Sequence, residues 1–296
     1  MSEPQVRVVR ANHTAFLLRE QVPAGTGTPV LLLHGVPETS SCWRDLAPQL
    51  AVGRRVLAPD LPGLGGSTFT GPYDAQTLAA ELATLIEAEV PGGRVDVVGH
   101  DWGGVLGLQL AADRPDLVRR LVVANAPWRE VPMLRAAHIG FFALPIAPEL
   151  LFRLGGRRVV ELMLSIGWKA PGRLDDERRA EYAAAYSAPA QVAAMLGYYR
   201  AAARPKLLAL MRRERPTAGA PITVEKALVL WGAADPVLPV RIGEGVVRGL
   251  GPDCVMVTIP GAGHFVLEEA PEAVATVLLD FLADDRPAGP APIGSR

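Results

Sequence analysis

Asp101 stands between Gly99-His100 and Trp102-Gly103, where an apolar β-rich run ending at Val98 meets a helical pattern beginning just after Trp102. A strand that turns sharply into a helix needs small residues on both sides of the turn, which lifts the central side chain clear of the backbone. Gly99 and Gly103 meet that need, and Gly104 lets the helix approach the sheet. The spacing is G-x-nucleophile-x-G, with Asp at the central position where Ser is commoner. The helix N-terminus aimed at that side chain favours a carboxylate anion. Asp is also a favoured N-cap, so a purely structural role for Asp101 stands as the alternative. As a nucleophile, a carboxylate suits an sp³ carbon. Attack on an ester would yield a reactive anhydride, whereas attack on an epoxide or alkyl halide yields an alkyl ester that water can cleave.

Cleaving that ester requires a base, and histidine titrates in the right range. His264, in Pro260-Gly-Ala-Gly-His-Phe, follows the last expected strand. Asp235, in Trp231-Gly-Ala-Ala-Asp-Pro, follows the strand before it and is the expected orienting carboxylate. Glu268 and Glu269 compete for that role from beyond the histidine loop, and Asp235 could be a turn residue before Pro236. In His34-Gly35-Val36-Pro37, the Val36 amide is placed to stabilise an oxyanion together with the amide of Trp102. His34 reads as a brace for this loop rather than a second base. The glycine-rich run Asp60 to Ser67 lacks the lysine of a phosphate loop and reads as a turn.

The elements that must position these groups are visible as periodicities. Strands are expected at Val6–Val9, Ala15–Leu18, Val30–Leu33, Arg55–Ala58, Val95–Val98, Leu121–Val123, Ala227–Leu230 and Val255–Ile259. Most are runs of Val, Leu and Ile rather than clean alternations, the pattern of strands covered on both faces. Helical spacing occupies Gln76–Glu89, Val105–Ala112 and Glu272–Leu282, the last opened by Pro271. The alternation predicts a doubly wound α/β fold. It breaks between about Pro127 and Ile222, where only helical patterns occur: Pro132–Phe142, Pro148–Phe152, Val159–Ile166, Asp176–Ser187 and Gln191–Ala202. This predicts a core from residues 1–127 and 222–286, a helical cap over 128–221, and a Pro/Gly-rich tail at 287–296 without order.

Taken together, these motifs resemble the epoxide hydrolase branch of the α/β-hydrolase superfamily. The likeness runs from about Val6 to Leu282: His34-Gly-Val-Pro resembles its HGxP loop, Gly99-His-Asp-Trp-Gly-Gly its nucleophile turn, and Asp235 and His264 its acid and base. It implies an eight-stranded, mostly parallel sheet flanked by helices, with the cap inserted after strand 6. It also implies lid tyrosines that protonate the epoxide oxygen. Met195-Leu-Gly-Tyr-Tyr-Arg resembles the segment carrying one of them, which aligns with Tyr199. Where the other is expected, Ala137-His-Ile-Gly-Phe-Phe has no tyrosine, and His138 takes the aligned place. Phe141, Phe142, Tyr198, Trp168, Phe265, His34 and Pro37 are expected around the pocket. Haloalkane dehalogenases share the plan. In them a halide is held by N–H donors, here the Trp102 indole, while Val36 stands where a second donor, Asn, is frequent and the Trp168 indole is the candidate substitute. Haloacetate dehalogenases carry arginines after the nucleophile, where this chain has Trp102 and Val105.

The chain of 296 residues has a formal net charge of -1, which points to neither nucleic acid nor an acidic membrane as partner. Its two cysteines lie far apart, outside any metal-ligand spacing, as expected of a reducing compartment. The N-terminus shows no leader pattern, no run of about 20 apolar residues is free of Pro, Gly or charge, and a cytoplasmic location is the expectation. The expected partners are a small epoxide and water, with no metal or cofactor, and the protein is expected as monomer or homodimer. A silent binding protein that reuses the same pocket is the reading from another class; the complete Asp/Asp/His set opposes it.

Overall fold

The computed structural model describes residues 3–22, 25–128, 137–171, 173–212 and 222–283. Eight strands form one sheet: β1 (Gln5–Ala11), β2 (Thr14–Gln21), β3 (Gly27–Leu33), β4 (Arg54–Pro59), β5 (Val95–His100), β6 (Val118–Ala124), β7 (Lys226–Gly232) and β8 (Cys254–Ile259). Their order is β1-β2-β4-β3-β5-β6-β7-β8. Only the β1–β2 and β2–β4 pairs are antiparallel. The sequence pattern follows from this placement. Strand β2, next to the edge strand β1, alternates buried and half-buried residues over most of its length, whereas every residue of the inner strand β5 is buried.

The helices, in chain order, are α1 (Ala47–Leu50), α2 (Ala75–Glu89), α3 (Trp102–Asp113), α4 (Ala137–Ala143), α5 (Ala147–Gly155), α6 (Arg157–Gly167), α7 (Asp176–Ala185), α8 (Pro189–Arg212), α9 (Val240–Leu250), α10 (Val266–Glu269) and α11 (Pro271–Leu282). A short 3₁₀ turn covers Ser40–Trp43. Sequence marks several of the starts. Asp74 accepts the Thr77 amide at the head of α2, Asp175 accepts the Arg178 amide at the head of α7, and Pro271 sits in the first turn of α11. Between β6 and β7 every described element is a helix. The helix expected over Pro132–Phe142 is described only from Ala137, its earlier part lying outside the described residues together with the expected tail. The helix expected to stop at Ala202 runs on through Pro205. A proline inside a helix removes one ladder donor, and here that does not end the helix. Helix α9 has no counterpart in the expected elements; Ile242, Gly243 and Val246 form its buried side.

The carboxyl ends of β3, β5, β7 and β8, which lie with β6 in one parallel block, meet at one rim of the sheet, where open α/β sheets place their ligand sites. The loops that leave this rim carry Val36, Asp101, Asp235 and His264.

Candidate active site

Asp101 joins β5 to α3 with φ 47° and ψ -117°, a left-handed conformation rarely held by a residue with a Cβ. The turn closes only because its flanks are bare. A Cβ on Gly99 would lie 2.3 Å from the Gly103 carbonyl oxygen, and one on Gly103 would lie 2.2 Å from that of Leu33. The Asp101 side chain makes no capping bond to the helix, so the N-cap alternative does not hold. Instead its two oxygens are distinguished. Oδ2 accepts the Val36 amide at 3.0 Å, and Oδ1 lies 3.8 Å from His264 Nε2. The amide of Trp102 opens α3, where the helix ladder offers it no acceptor.

His264 Nδ1 is 2.9 Å from Asp235 Oδ2. Asp235 is held on every side: Oδ1 accepts the amides of Val237 and Leu238 at 2.7 and 2.9 Å, and Oδ2 accepts Asn125 Nδ2 at 2.6 Å. Burial opposes its charge, but His264 and these donors outweigh burial and hold the carboxyl below its ordinary range. His264 moves the other way. Burial favours the neutral ring, yet the Asp235 charge and hydrogen bond raise its pKa above the usual imidazole value. The competing carboxylates are otherwise engaged. Glu268 accepts the Tyr182 hydroxyl and Arg178 Nη1, and Glu269 accepts four amides, those of Lys169, Ala170, Gly263 and Phe265.

Beside the carboxylate sit residues of two helices from the segment between β6 and β7. Tyr199 on α8 is buried, with its ring 5.2 Å from Trp102, 5.0 Å from Phe142 and 6.5 Å from His138 on α4. Burial, then the nearby Asp101 carboxylate, raise the Tyr199 pKa far above the phenol range, so the hydroxyl keeps its proton. Burial lowers the pKa of His138, which favours the neutral ring. The tertiary fold therefore brings Asp101, His264, Asp235, Val36, Trp102, Tyr199 and His138 together.

Three expected pocket residues, Tyr198, Trp168 and Phe141, are placed differently. Tyr198 donates its hydroxyl to the Pro62 carbonyl at 2.8 Å, because neighbours on one helix point about 100° apart and only Tyr199 can face the site. Trp168 stacks on Phe265 at 5.6 Å and spends its indole N–H on the Ala170 carbonyl at 3.1 Å, which removes it as a halide donor. Phe141 is exposed on the outer side of the lid. His34 is a brace, as read: Leu61 donates its amide to Nε2 at 2.9 Å, and Nδ1 lies 2.8 Å from the Gly35 carbonyl. Its two bonds call for the neutral tautomer with the proton on Nδ1, and burial lowers its pKa accordingly. Pro37 and Phe265 are buried beside the site residues Val36 and His264.

Three contributors escaped the sequence reading. Asn125, at φ 43° after β6, donates to Asp235 and accepts the Gly232 amide at 3.1 Å. Glu38 and His100 form a fully buried pair behind the nucleophile, with Oε2 and Nδ1 2.7 Å apart. His100 Nε2 lies 2.8 Å from the His264 carbonyl oxygen, which can only accept. With acceptors at both nitrogens, the ring carries both protons. Burial opposes this, but the Glu38 charge prevails and lifts the His100 pKa to about 9, while Glu38 is held below its ordinary value. The pair thus ties the oxyanion loop to the backbone of the base. The only available signal was position: Glu38 directly follows Pro37, and His100 directly precedes Asp101.

This pair yields a pH prediction. A raised His100 pKa contributes stability that is fully present below the unfolded value of about 6.5 and is lost as pH rises through about 9. The depressed Glu38 carboxyl contributes above its ordinary value, 4.5, and its contribution is lost on acidification. Glu38→Gln is therefore expected to lower stability by about 3 kcal/mol near neutral pH. The deficit should shrink above about pH 9, when His100 in the native chain has lost its proton. Thermal melts of both chains across pH measure this; a deficit independent of pH would refute the charged pair.

A family model described as the alpha/beta hydrolase family matches residues 30–277. The chain is 30% identical to the soluble epoxide hydrolase of Corynebacterium sp. (strain C12), over 88% of this chain and 92% of that one. It is also 30% identical to haloalkane dehalogenase 2 of Mycobacterium tuberculosis (strain ATCC 25618 / H37Rv), over 88% and 89%. Among solved structures, the epoxide hydrolase CorEH without ligand superposes with a TM-score of 0.77 at 26% identity, covering 94% of this chain and 98% of that one.

Proposed function

From a chain that belongs to the alpha/beta hydrolase family, in its epoxide hydrolase branch, we propose an enzyme that adds water to an epoxide to give a vicinal diol. The observation that carries this reading is the division of labour at Asp101. Oδ2 is already held by an oxyanion-type donor, Oδ1 is free to attack, and a protonated phenol stands across the site. In the first step Oδ1 attacks a ring carbon, the C–O bond breaks, and the departing oxygen takes a proton from Tyr199, with His138 as second hydrogen-bond donor. In the second, His264 takes a proton from water, and the resulting hydroxide attacks the carbonyl carbon of the Asp101 ester. The oxyanion formed at Oδ2 rests on the amides of Val36 and Trp102. Collapse releases the diol. The proton on His264 passes to the departing oxygen, and the proton left on the Asp101 carboxyl returns to the Tyr199 phenolate, restoring both groups. Since His264 must be neutral to act, its raised pKa should carry the acid limb of kcat above the ordinary imidazole value.

A second reading, dehalogenation, is supported by the Trp102 indole beside Asp101 and by the equal identity to haloalkane dehalogenase 2. The spent indole of Trp168 weighs against it. A parallel screen of small aryl and alkyl epoxides against matched haloalkanes separates the two by diol and halide release. Diol without halide is the expected result, and Tyr199→Phe should then lower epoxide turnover by about 10²-fold. Halide release with no diol would overturn the proposal in favour of the second reading.

A further inference from the structure

Fourteen large apolar side chains are exposed among the described residues, and eight of them fall between Phe141 and Ile166, on α4, α5, α6 and their links. Their exposure ranges from 37% at Phe141 to 77% at Leu154. Isolated apolar residues on a surface need no explanation, but a cluster of this kind marks a contact face. The clustering follows the helix period. On α5, Leu150, Leu151 and Leu154 stand opposite the buried Pro148 and Phe152. On α6, Leu162 and Ile166 stand opposite the buried Val160 and Leu164, with the exposed Arg158 one turn before them on the same side.

Arginines border these side chains. Arg153, Arg157 and Arg158 are all exposed, while the two acids of α5 and α6, Glu149 and Glu161, are already paired with Arg200 and Arg157. Arg153 and Arg158 make no ion pair among the described residues. An apolar helix face edged by arginine is the pattern of helices that lie in a lipid–water interface. A two-fold contact with a second copy would set this patch against itself, arginines facing arginines, with both acids taken. Among the described residues no helix is long and apolar enough to cross a membrane.

We propose that the outer face of α4–α6 docks on anionic phospholipid, with its leucines and isoleucines at the acyl boundary and its arginines at the phosphates. The net charge of -1 argued against a membrane partner only as an average over the whole surface. The inference goes beyond the epoxide reading and does not depend on it, but the two would fit. Helix α4 presents Phe141 outward while its neighbours His138 and Phe142 face the site, so a lipophilic substrate would have one helix to pass.

Co-sedimentation with vesicles of phosphatidylcholine, alone or with about a third phosphatidylglycerol, tests the proposal. Two unpaired arginines should make binding to the anionic vesicles roughly tenfold tighter, an advantage that about 0.5 M salt removes. Leu154→Asp and the double variant Arg153→Glu/Arg158→Glu should each weaken binding roughly tenfold, with melting temperature and turnover of a water-soluble substrate unchanged. Retention of the native chain in the supernatant would overturn the proposal. So would vesicle binding that Leu154→Asp leaves intact. A dimer in size-exclusion chromatography that Leu154→Asp dissociates, with no vesicle binding, would assign the face to a second copy instead.

Discussion

Asp101→Ala is expected to lose steady turnover by about 10⁴-fold or more on whichever substrate the screen identifies, while the protein remains folded. The expectation rests on how little else in the site could replace it. Glu38 is the other carboxylate of the oxyanion loop, but it is fully buried and its Oε2 is taken by His100. Asp235 is closed off by four donors. Glu268 and Glu269 are tied to the lid. No second carboxylate among these can reach a substrate held below Tyr199. Alanine also relieves a residue held at φ 47° less well than glycine would, so a modest loss of stability is compatible with the scheme, and circular dichroism with a thermal melt separates the two effects. A folded Asp101→Ala protein that turns over within tenfold of the native chain would remove the covalent scheme and, with it, the assignment of Oδ1 as the attacking atom.

The second large effect is qualitative as well as quantitative. His264→Gln should slow kcat by about 10³-fold and leave the first step largely intact, because only ester cleavage needs the base. The enzyme should then consume close to one equivalent of epoxide in a burst, release no diol, and stall. Intact-mass spectrometry should show an adduct equal to the mass of the epoxide, and peptide mapping should place it on Asp101. With a haloalkane as true substrate, the adduct would be lighter by the lost halide, so the same experiment also separates the two chemistries. Equal loss of both steps, with no adduct under saturating substrate, would mean that His264 does not act after Asp101. Glutamine at this position keeps the backbone amide bonded to the Gly167 carbonyl and the carbonyl bonded to His100, so the loop should hold its shape.

Much of this was legible along the chain because the chemistry follows local rules. A glycine-flanked acid between a strand and a helix has few stable conformations, and the short apolar runs in β3 and β7 fit strands covered on both faces. Asp235 and His264 could be picked out because the carboxyl ends of parallel strands converge on one rim. The succession of strands along the chain and the run of helices between β6 and β7 follow the same local signals. What sequence left open was decided by packing. Tyr198 and Tyr199 are neighbours in sequence, and only the seating of α8 over the sheet sends one hydroxyl to the Pro62 carbonyl and the other ring toward Trp102. Trp168 could have served as a halide donor until its indole met the Ala170 carbonyl. Glu38 and His100 are 62 positions apart, and their shared charge exists only because burial makes an unpaired ion costly and leaves each as the other's partner. The outer face of the lid tells the same story. Its leucines and arginines were in plain view as helical patterns, but which side of each helix meets the core depends on contacts between elements distant in sequence, and these exist only in the folded chain.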